Sequence, residues 1–180
     1  MATLYYLIGP SGVGKDSLLK TIQSDPSFSD LHVARRYITR PSHPDYENHI
    51  EVSEADFMMR QQAQQFLFDW QSHGYRYAIG REILNWLETG EDVIVNGSRA
   101  YLEKARELWP DLVPVWMTVD EEVLRERLQL RKRDTPQEIE QRIQRNREFI
   151  ALMGSDDPRI SNDSSIEDCL AQFVEIRAQH

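Results

Sequence analysis

The stretch Gly9-Pro10-Ser11-Gly12-Val13-Gly14-Lys15-Asp16-Ser17 constrains this chain most, because it sets a glycine-rich turn between an apolar strand and a helix. Thr3 to Ile8 reads as a buried strand and Ser17 to Ile22 as a helix, the context that a G-x-x-x-x-G-K phosphate loop requires. In such a loop successive N–H groups face phosphate oxygens, and the helix N-terminus adds partial positive charge. Lys15 supplies a full charge for the β- and γ-phosphates, so residues 9–17 form the expected ATP-binding loop. Asp16 stands where Ser or Thr normally offers a hydroxyl to Mg²⁺, and Ser17 follows it. Carboxylate and hydroxyl oxygens suit Mg²⁺, directly or through water. Without a metal between them, the carboxylate repels the phosphates, so the site is expected to depend strongly on Mg²⁺.

The 180 residues, 40% of them hydrophobic, suit one compact α/β domain without a linker. A net charge of −9 argues against general binding to nucleic acid or to an acidic membrane, both of which use broad positive fields. Cations cluster locally instead, as Arg35, Arg36 and Arg40 and as Arg125, Arg127, Arg131, Lys132 and Arg133, which fits compact anionic ligands. Arg125 is expected to pair along its helix with Glu121 or Glu122. The single cysteine, Cys169, excludes an internal disulfide and reads as a small core residue in a reducing compartment. No apolar run approaches a membrane span, and Ala2 to Ile8 is too short for a signal sequence, so a cytoplasmic location is expected. The sequence does not indicate an oligomeric state.

A strand over Leu31–Ala34 leads to Arg35-Arg36-Tyr37-Ile38-Thr39-Arg40-Pro41, where the proline ends regular structure. Ser42 to Asn48 is polar loop, and His49 to Val52 a short strand. Ser53-Glu54-Ala55-Asp56 resembles a capping box opening a helix to about Gln62. Phe66–Trp70 and Tyr75–Ile79 read as strands joined near His73-Gly74, giving a β-rich, aromatic insertion on an alternating β/α frame. The alternation resumes with a helix over Arg81–Glu88 stopped by Gly90, a strand over Asp92–Asn96, a helix over Arg99–Leu108 and a strand over Leu112–Val119. This order implies a parallel sheet flanked by helices, with Asp92–Asn96 the expected neighbour of the phosphate-loop strand. Asp120 can cap a helix over Glu121–Arg131, and Thr135-Pro136-Gln137-Glu138 combines a capping box with proline at the first helical position. Ile139, Ile143, Ile150 and Met153 are expected on one face of that helix. A strand over Arg159–Asn162 precedes a last helix with Ile166, Cys169, Leu170, Phe173 and Val174 at core spacing.

A phosphate loop with a basic knuckle between two helices points to phosphoryl transfer, where positioning and charge neutralisation dominate. Five histidines without metal-ligand spacing argue against a zinc site, and no Gly-x-Ser-x-Gly elbow appears. The strand Asp92–Asn96 ends in Asn96-Gly97-Ser98-Arg99 rather than in an acid, which suggests that the metal-anchoring charge has moved to Asp16.

Across nearly the whole chain the order of motifs resembles guanylate kinase. Gly-Pro-Ser-Gly-x-Gly-Lys is similar to that family's loop, Ile38-Thr39-Arg40-Pro41 to its Thr-Thr-Arg segment, and Leu67-Phe68-Asp69-Trp70 to its Leu-Glu-Trp segment. Val123 to Leu128 with Arg131 and Arg142 resembles its lid. The resemblance implies a P-loop kinase fold: a five-stranded parallel sheet flanked by helices, a helical lid over about 127–145 and a small β-rich acceptor-binding insertion over about 36–79. Residues 1–35 and 80–180 would form the core. The family's acceptor-phosphate positions read Arg36, Arg40, His43 and His49 here, its guanine-reading glutamate is Asp69 and its strand-end aspartate is Asn96, which removes the groups that match a guanine edge.

Gly14-Lys15-Asp16-Ser17-Leu18-Leu19, Arg36-Tyr37-Ile38-Thr39-Arg40, Glu47-Asn48-His49-Ile50 and Val95 to Ala100 resemble the ribose 1,5-bisphosphate phosphokinase family more closely. That family transfers the γ-phosphoryl of ATP to the anomeric phosphate of the sugar, giving 5-phosphoribosyl diphosphate in phosphonate breakdown. The resemblance implies catalytic roles for Lys15, Arg131 and Arg142 and a substrate site drawn from Arg36, Arg40, Glu47, Asn48, His49, Asp69, Tyr77, Asn96, Ser98 and Arg99. Other readings are a nucleoside monophosphate kinase with altered acceptor contacts and a guanylate-kinase-like module that binds without catalysis.

Overall fold

The computed structural model describes residues 2–42, 49–132 and 134–180; Arg133, His43, Glu47 and Asn48 lie outside them. Strand β1 (Leu4–Ile8) is buried along its whole length. So are residues 93–96 of β7 (Asp92–Asn96) and all of β8 (Val113–Thr118). Runs of this kind form where a parallel sheet is covered on both faces. With β2 (Leu31–Val33) and β9 (Arg159–Ser161) they make a five-stranded parallel sheet in the order β2-β7-β1-β8-β9. The strand over Asp92–Asn96 is the neighbour of the phosphate-loop strand, as its sequence implies.

A second sheet runs β4 (Ile50–Glu51), β3 (Arg36–Ile38), β6 (Tyr75–Gly80), β5 (Phe66–Ser72). The expected strand over Leu31–Ala34 and the segment after it therefore part ways: β2 stays in the parallel sheet and β3 joins the second. His73 (φ 50°) and Gly74 (φ 79°) both take left-handed backbone, the conformation a two-residue hairpin turn needs to match strand twist. Helix α2 (Glu54–Gln62) sets Phe57 against Phe66 and Ala78 on one face of this sheet. Ser53 caps it by accepting from the Asp56 N–H, but the Asp56 carboxylate accepts from the Ser53 hydroxyl rather than from its backbone, so the expected capping box is only half made.

The chain divides into two compact units. One, Met1–Tyr6 with Ile22–Val113, holds the second sheet, β2, β7, the start of β1, and helices α3 (Ile83–Glu88) and α4 (Leu102–Leu108). The other, Leu7–Thr21 with Pro114–His180, holds the end of β1, most of α1 (Lys15–Ser24), β8, β9, α5 (Glu121–Arg131), α6 (Pro136–Ala151) and α7 (Ile166–Arg177). In α6 the buried face is Ile139, Ile143, Asn146 and Phe149. Ile150, expected there, is exposed, because Phe149 fills the inward position and its ring meets Trp116 at 4.9 Å. In α7 Cys169, Phe173 and Ile176 are buried while Val174 is exposed, a face rotated slightly from the expected one.

Candidate active site

Residues 9–14 connect β1 to α1 as a tight loop, and Lys15, Asp16 and Ser17 open the helix. Gly14 has φ +107°, and a Cβ there would collide with the side-chain amide of Asn162, so the position requires glycine. Asn162 Nδ2 donates to the Val13 carbonyl at 2.7 Å, and the Asn162 N–H donates to Thr118 O at 2.8 Å. Val13 is fully buried and anchors the loop to the core. Lys15 Nζ donates to the carbonyls of Gly9 (2.6 Å) and Pro10 (3.2 Å), so the ammonium folds back over the loop. Asp16 and Ser17 lie exposed in the first turn of α1. Carboxylate and hydroxyl oxygens such as theirs are the donor set that Mg²⁺ favours.

Arg131 and Arg142, expected in a lid, belong to the same unit. Arg131 ends α5, and its Nη1 lies 3.8 Å from where a Cβ of Gly12 would sit, so this guanidinium stands at the phosphate loop. Arg142, on α6, donates through Nε (3.2 Å) and Nη2 (3.1 Å) to one oxygen of the largely buried Asp134. Asp120 caps α5, and Thr135 and Glu138 complete the capping box of α6 as their sequence implies. The Thr135 N–H and hydroxyl hold the Glu138 carboxyl below the usual carboxylate range. Arg125 pairs with Glu121, as expected along the helix, and also with Glu140 of α6.

The other unit carries the remaining candidates. Strand register puts Arg36, Ile38, Tyr77, Phe68 and Trp70 on one face of the second sheet. Tyr77 stacks on Trp70 (5.7 Å, 7°), and the Arg36 guanidinium lies 5.2 Å from the Tyr77 ring centre. Asp69 pairs with Ala78 and so lies on the opposite face, under α2, where Gln61 Nε2 donates to it at 2.7 Å. The sheet thus brings Arg36 and Tyr77 together and sets Asp69 apart from them. His49 is buried, and its ring donates to Arg40 O at 2.9 Å, while its own carbonyl accepts from Arg35. Arg40 Nε is buried and has no hydrogen-bond partner among the described residues.

Asn96 is buried at the end of β7, and Gly97 and Ser98 turn the chain away. Tyr6 fixes that turn: its hydroxyl donates to Ser98 O (3.1 Å) and accepts from Ser98 N–H (3.0 Å). The Tyr6 ring occupies the space a Cβ of Gly97 would need. Burial pushes the Tyr6 hydroxyl far above the ordinary phenol range, the Ser98 hydrogen bond opposing it only partly. Tyr101 accepts from the Asp69 N–H at the sheet edge and meets Trp70 at 5.7 Å. Tyr6, Gln61, Tyr101, Asp134 and Asn162 thus shape the candidate residues without belonging to any motif. Their roles come from contacts as far as 149 residues apart in sequence, as between Asn162 and Val13.

A phosphate loop on a five-stranded parallel sheet flanked by helices, with a second small sheet, defines a P-loop kinase of the guanylate-kinase fold. Residues 6–148 match the family model described as AAA domain. The crystal structure of guanylate kinase from Anaplasma phagocytophilum is similar with a TM-score of 0.73 over 99% of this chain and 86% of that one, at 14% identity, which speaks for the fold. Relatives named ribose 1,5-bisphosphate phosphokinase PhnN are 48% identical over 96% of this chain and 92% of the relative in Pectobacterium parmentieri, and 44% over 96% and 88% in Psychromonas ingrahamii. The chain belongs to the ribose 1,5-bisphosphate phosphokinase family.

Proposed function

We propose that this enzyme transfers the γ-phosphoryl group of ATP to the 1-phosphate of ribose 1,5-bisphosphate, giving 5-phosphoribosyl diphosphate and ADP, with a role in phosphonate catabolism in the cytoplasm. The observation that carries the reading is near-full-length similarity, at 48% identity, to a protein named for that activity. A sugar bisphosphate carries two dianionic ends and no base, so it needs cations and hydroxyl-binding groups rather than a purine-reading edge. Arg36 and Arg40 supply the cations: the Arg40 Nε, without a hydrogen-bond partner among the described residues, represents a cost of about 1–3 kcal/mol that a bound phosphate oxygen would relieve. Asn96, Ser98 and Arg99, on the turn fixed by Tyr6, are assigned to the sugar and a phosphate. Tyr77 walls the face that Arg36 shares. Asp69, on the opposite face of the sheet and bonded to Gln61, stands outside this set. Glu47, Asn48 and His49 complete the assignment.

The nucleophile is an oxygen of the 1-phosphate, which is largely dianionic at neutral pH because its second ionisation lies near pH ~6. It attacks the γ-phosphorus as the bond to the β–γ bridging oxygen breaks, and ADP leaves with that oxygen. No proton need be removed, so no general base is required. Lys15, Arg131 and Arg142 neutralise charge on the transferring group, for which Lys15 exchanges the Gly9 and Pro10 carbonyls, and Arg142 its Asp134 partner, for phosphate oxygens. Mg²⁺, held by Asp16 and Ser17, would supply further charge neutralisation.

Purified protein with ATP and Mg²⁺ is offered ribose 1,5-bisphosphate in one tube and GMP in another, and products are followed by phosphorus NMR. The expected result is a diphosphate signal on the sugar and no GDP. GDP without the sugar product would overturn the proposal in favour of a nucleoside monophosphate kinase, and failure to bind ATP would favour a non-catalytic module.

A further inference from the structure

We infer that Asn162 is a positioning residue for ATP, holding the phosphate loop in its binding conformation from the end of β9. The inference rests on the reading of residues 9–17 as the ATP site. A peptide unit is planar, and its C=O and N–H point in opposite directions. Fixing the Val13 carbonyl therefore fixes the Gly14 N–H, because both belong to one peptide unit. Asn162 Nδ2 holds that carbonyl at 2.7 Å, so the N–H on the other side is presented away from Asn162. Were the unit to rotate, the carbonyl would face the phosphates and repel them.

The backbone that carries this side chain is itself held on both sides. The Asn162 N–H donates to Thr118 O of β8 at 2.8 Å, and the adjoining Asp163 carboxylate accepts from the Asp120 N–H (2.6 Å) and the Ser161 hydroxyl (2.7 Å). Asn162 itself is buried, and its amide reaches the loop through the space that a Cβ on Gly14 would fill. A donor is required at this point, since the group it faces is a carbonyl. Aspartate has nearly the same shape but, ionised, offers only acceptors.

The test compares the wild-type chain with Asn162→Ala and Asn162→Asp, measuring Mg²⁺-ATP affinity by calorimetry and the KM for each substrate. Asn162→Ala is expected to weaken ATP about tenfold, the equivalent of one hydrogen bond of ordinary strength, with the KM for the sugar bisphosphate unchanged within about twofold. Asn162→Asp is expected to bind ATP more weakly than Asn162→Ala at pH 8 and to recover affinity as the pH falls and its carboxyl gains a proton to donate. That titration compares one folded variant with itself and serves even if Asn162→Ala folds poorly. ATP affinity within twofold of wild type in both variants, or a parallel loss for both substrates, would overturn the inference. A wild-type chain that bound no ATP would instead overturn the function and this assignment together.

Discussion

Tyr6 is fully buried in a strand whose neighbours are aliphatic or aromatic, yet its hydroxyl meets both the N–H and the C=O of Ser98. Removing the hydroxyl leaves two backbone groups without that partner, each worth about 1–3 kcal/mol when stranded. Tyr6→Phe is therefore expected to raise the KM for the sugar bisphosphate several-fold and to leave ATP affinity unchanged, as steady-state kinetics would show. The variant also has a signature in alkali. The Tyr6 pKa in the folded chain lies above its ordinary value of 10.0, so folding retains a proton that the unfolded chain releases. Stability from this group is fully present below pH about 10 and is lost as the pH rises toward the folded value. Urea melts at pH 8 and pH 10.5 should show a smaller alkaline loss in Tyr6→Phe than in wild type; an equal loss would remove Tyr6 from the account.

Elements defined by local chemistry were legible before any contact was known. The phosphate loop, the His73-Gly74 hairpin, the Asp120 cap and the Thr135–Glu138 capping box all depend on residues within a few positions of one another. Thr135→Ala removes one arm of that box and is expected to destabilise the fold by about 1 kcal/mol, measured by denaturant midpoint, with Asn restoring most of it. What could not be read was set by packing between distant segments. Spacing placed Ile150 inward on α6, but Phe149 took the position against Trp116 and brought with it Asn146, whose amide donates to Val119 O at 3.1 Å. Asp69 matched a motif by residue type, yet the alternation of β5 and β6 turned it toward Gln61 and away from Arg36 and Tyr77. Asn162 carried no signal at all, since an asparagine after a short strand is ordinary until the Val13 carbonyl appears beside it.

For the molecule as a whole the controlling quantity is charge. The chain carries −9 and is proposed to bind two polyanions, so attraction must come from local groups acting over short distances. Arg131 beside Gly12, Lys15 over the loop carbonyls and Arg142 on Asp134 are such groups. Asp16 runs against them, placing a carboxylate in the first turn of the loop helix. Two like unit charges about 4 Å apart repel by about 4 kcal/mol at the effective dielectric of a protein surface, enough to make an unneutralised carboxylate costly to phosphate binding. The carboxylate becomes favourable only when a divalent ion stands between it and the nucleotide. Asp16→Asn should therefore bind metal-free ATP more tightly than wild type while requiring roughly tenfold more Mg²⁺ for half-maximal turnover, a loss of about 1.4 kcal/mol in metal affinity. Both follow from one Mg²⁺ titration of activity and one ATP titration in chelator. Turnover undiminished at limiting Mg²⁺ would show that the metal is anchored elsewhere and that Asp16 serves only as a charge at the start of the helix.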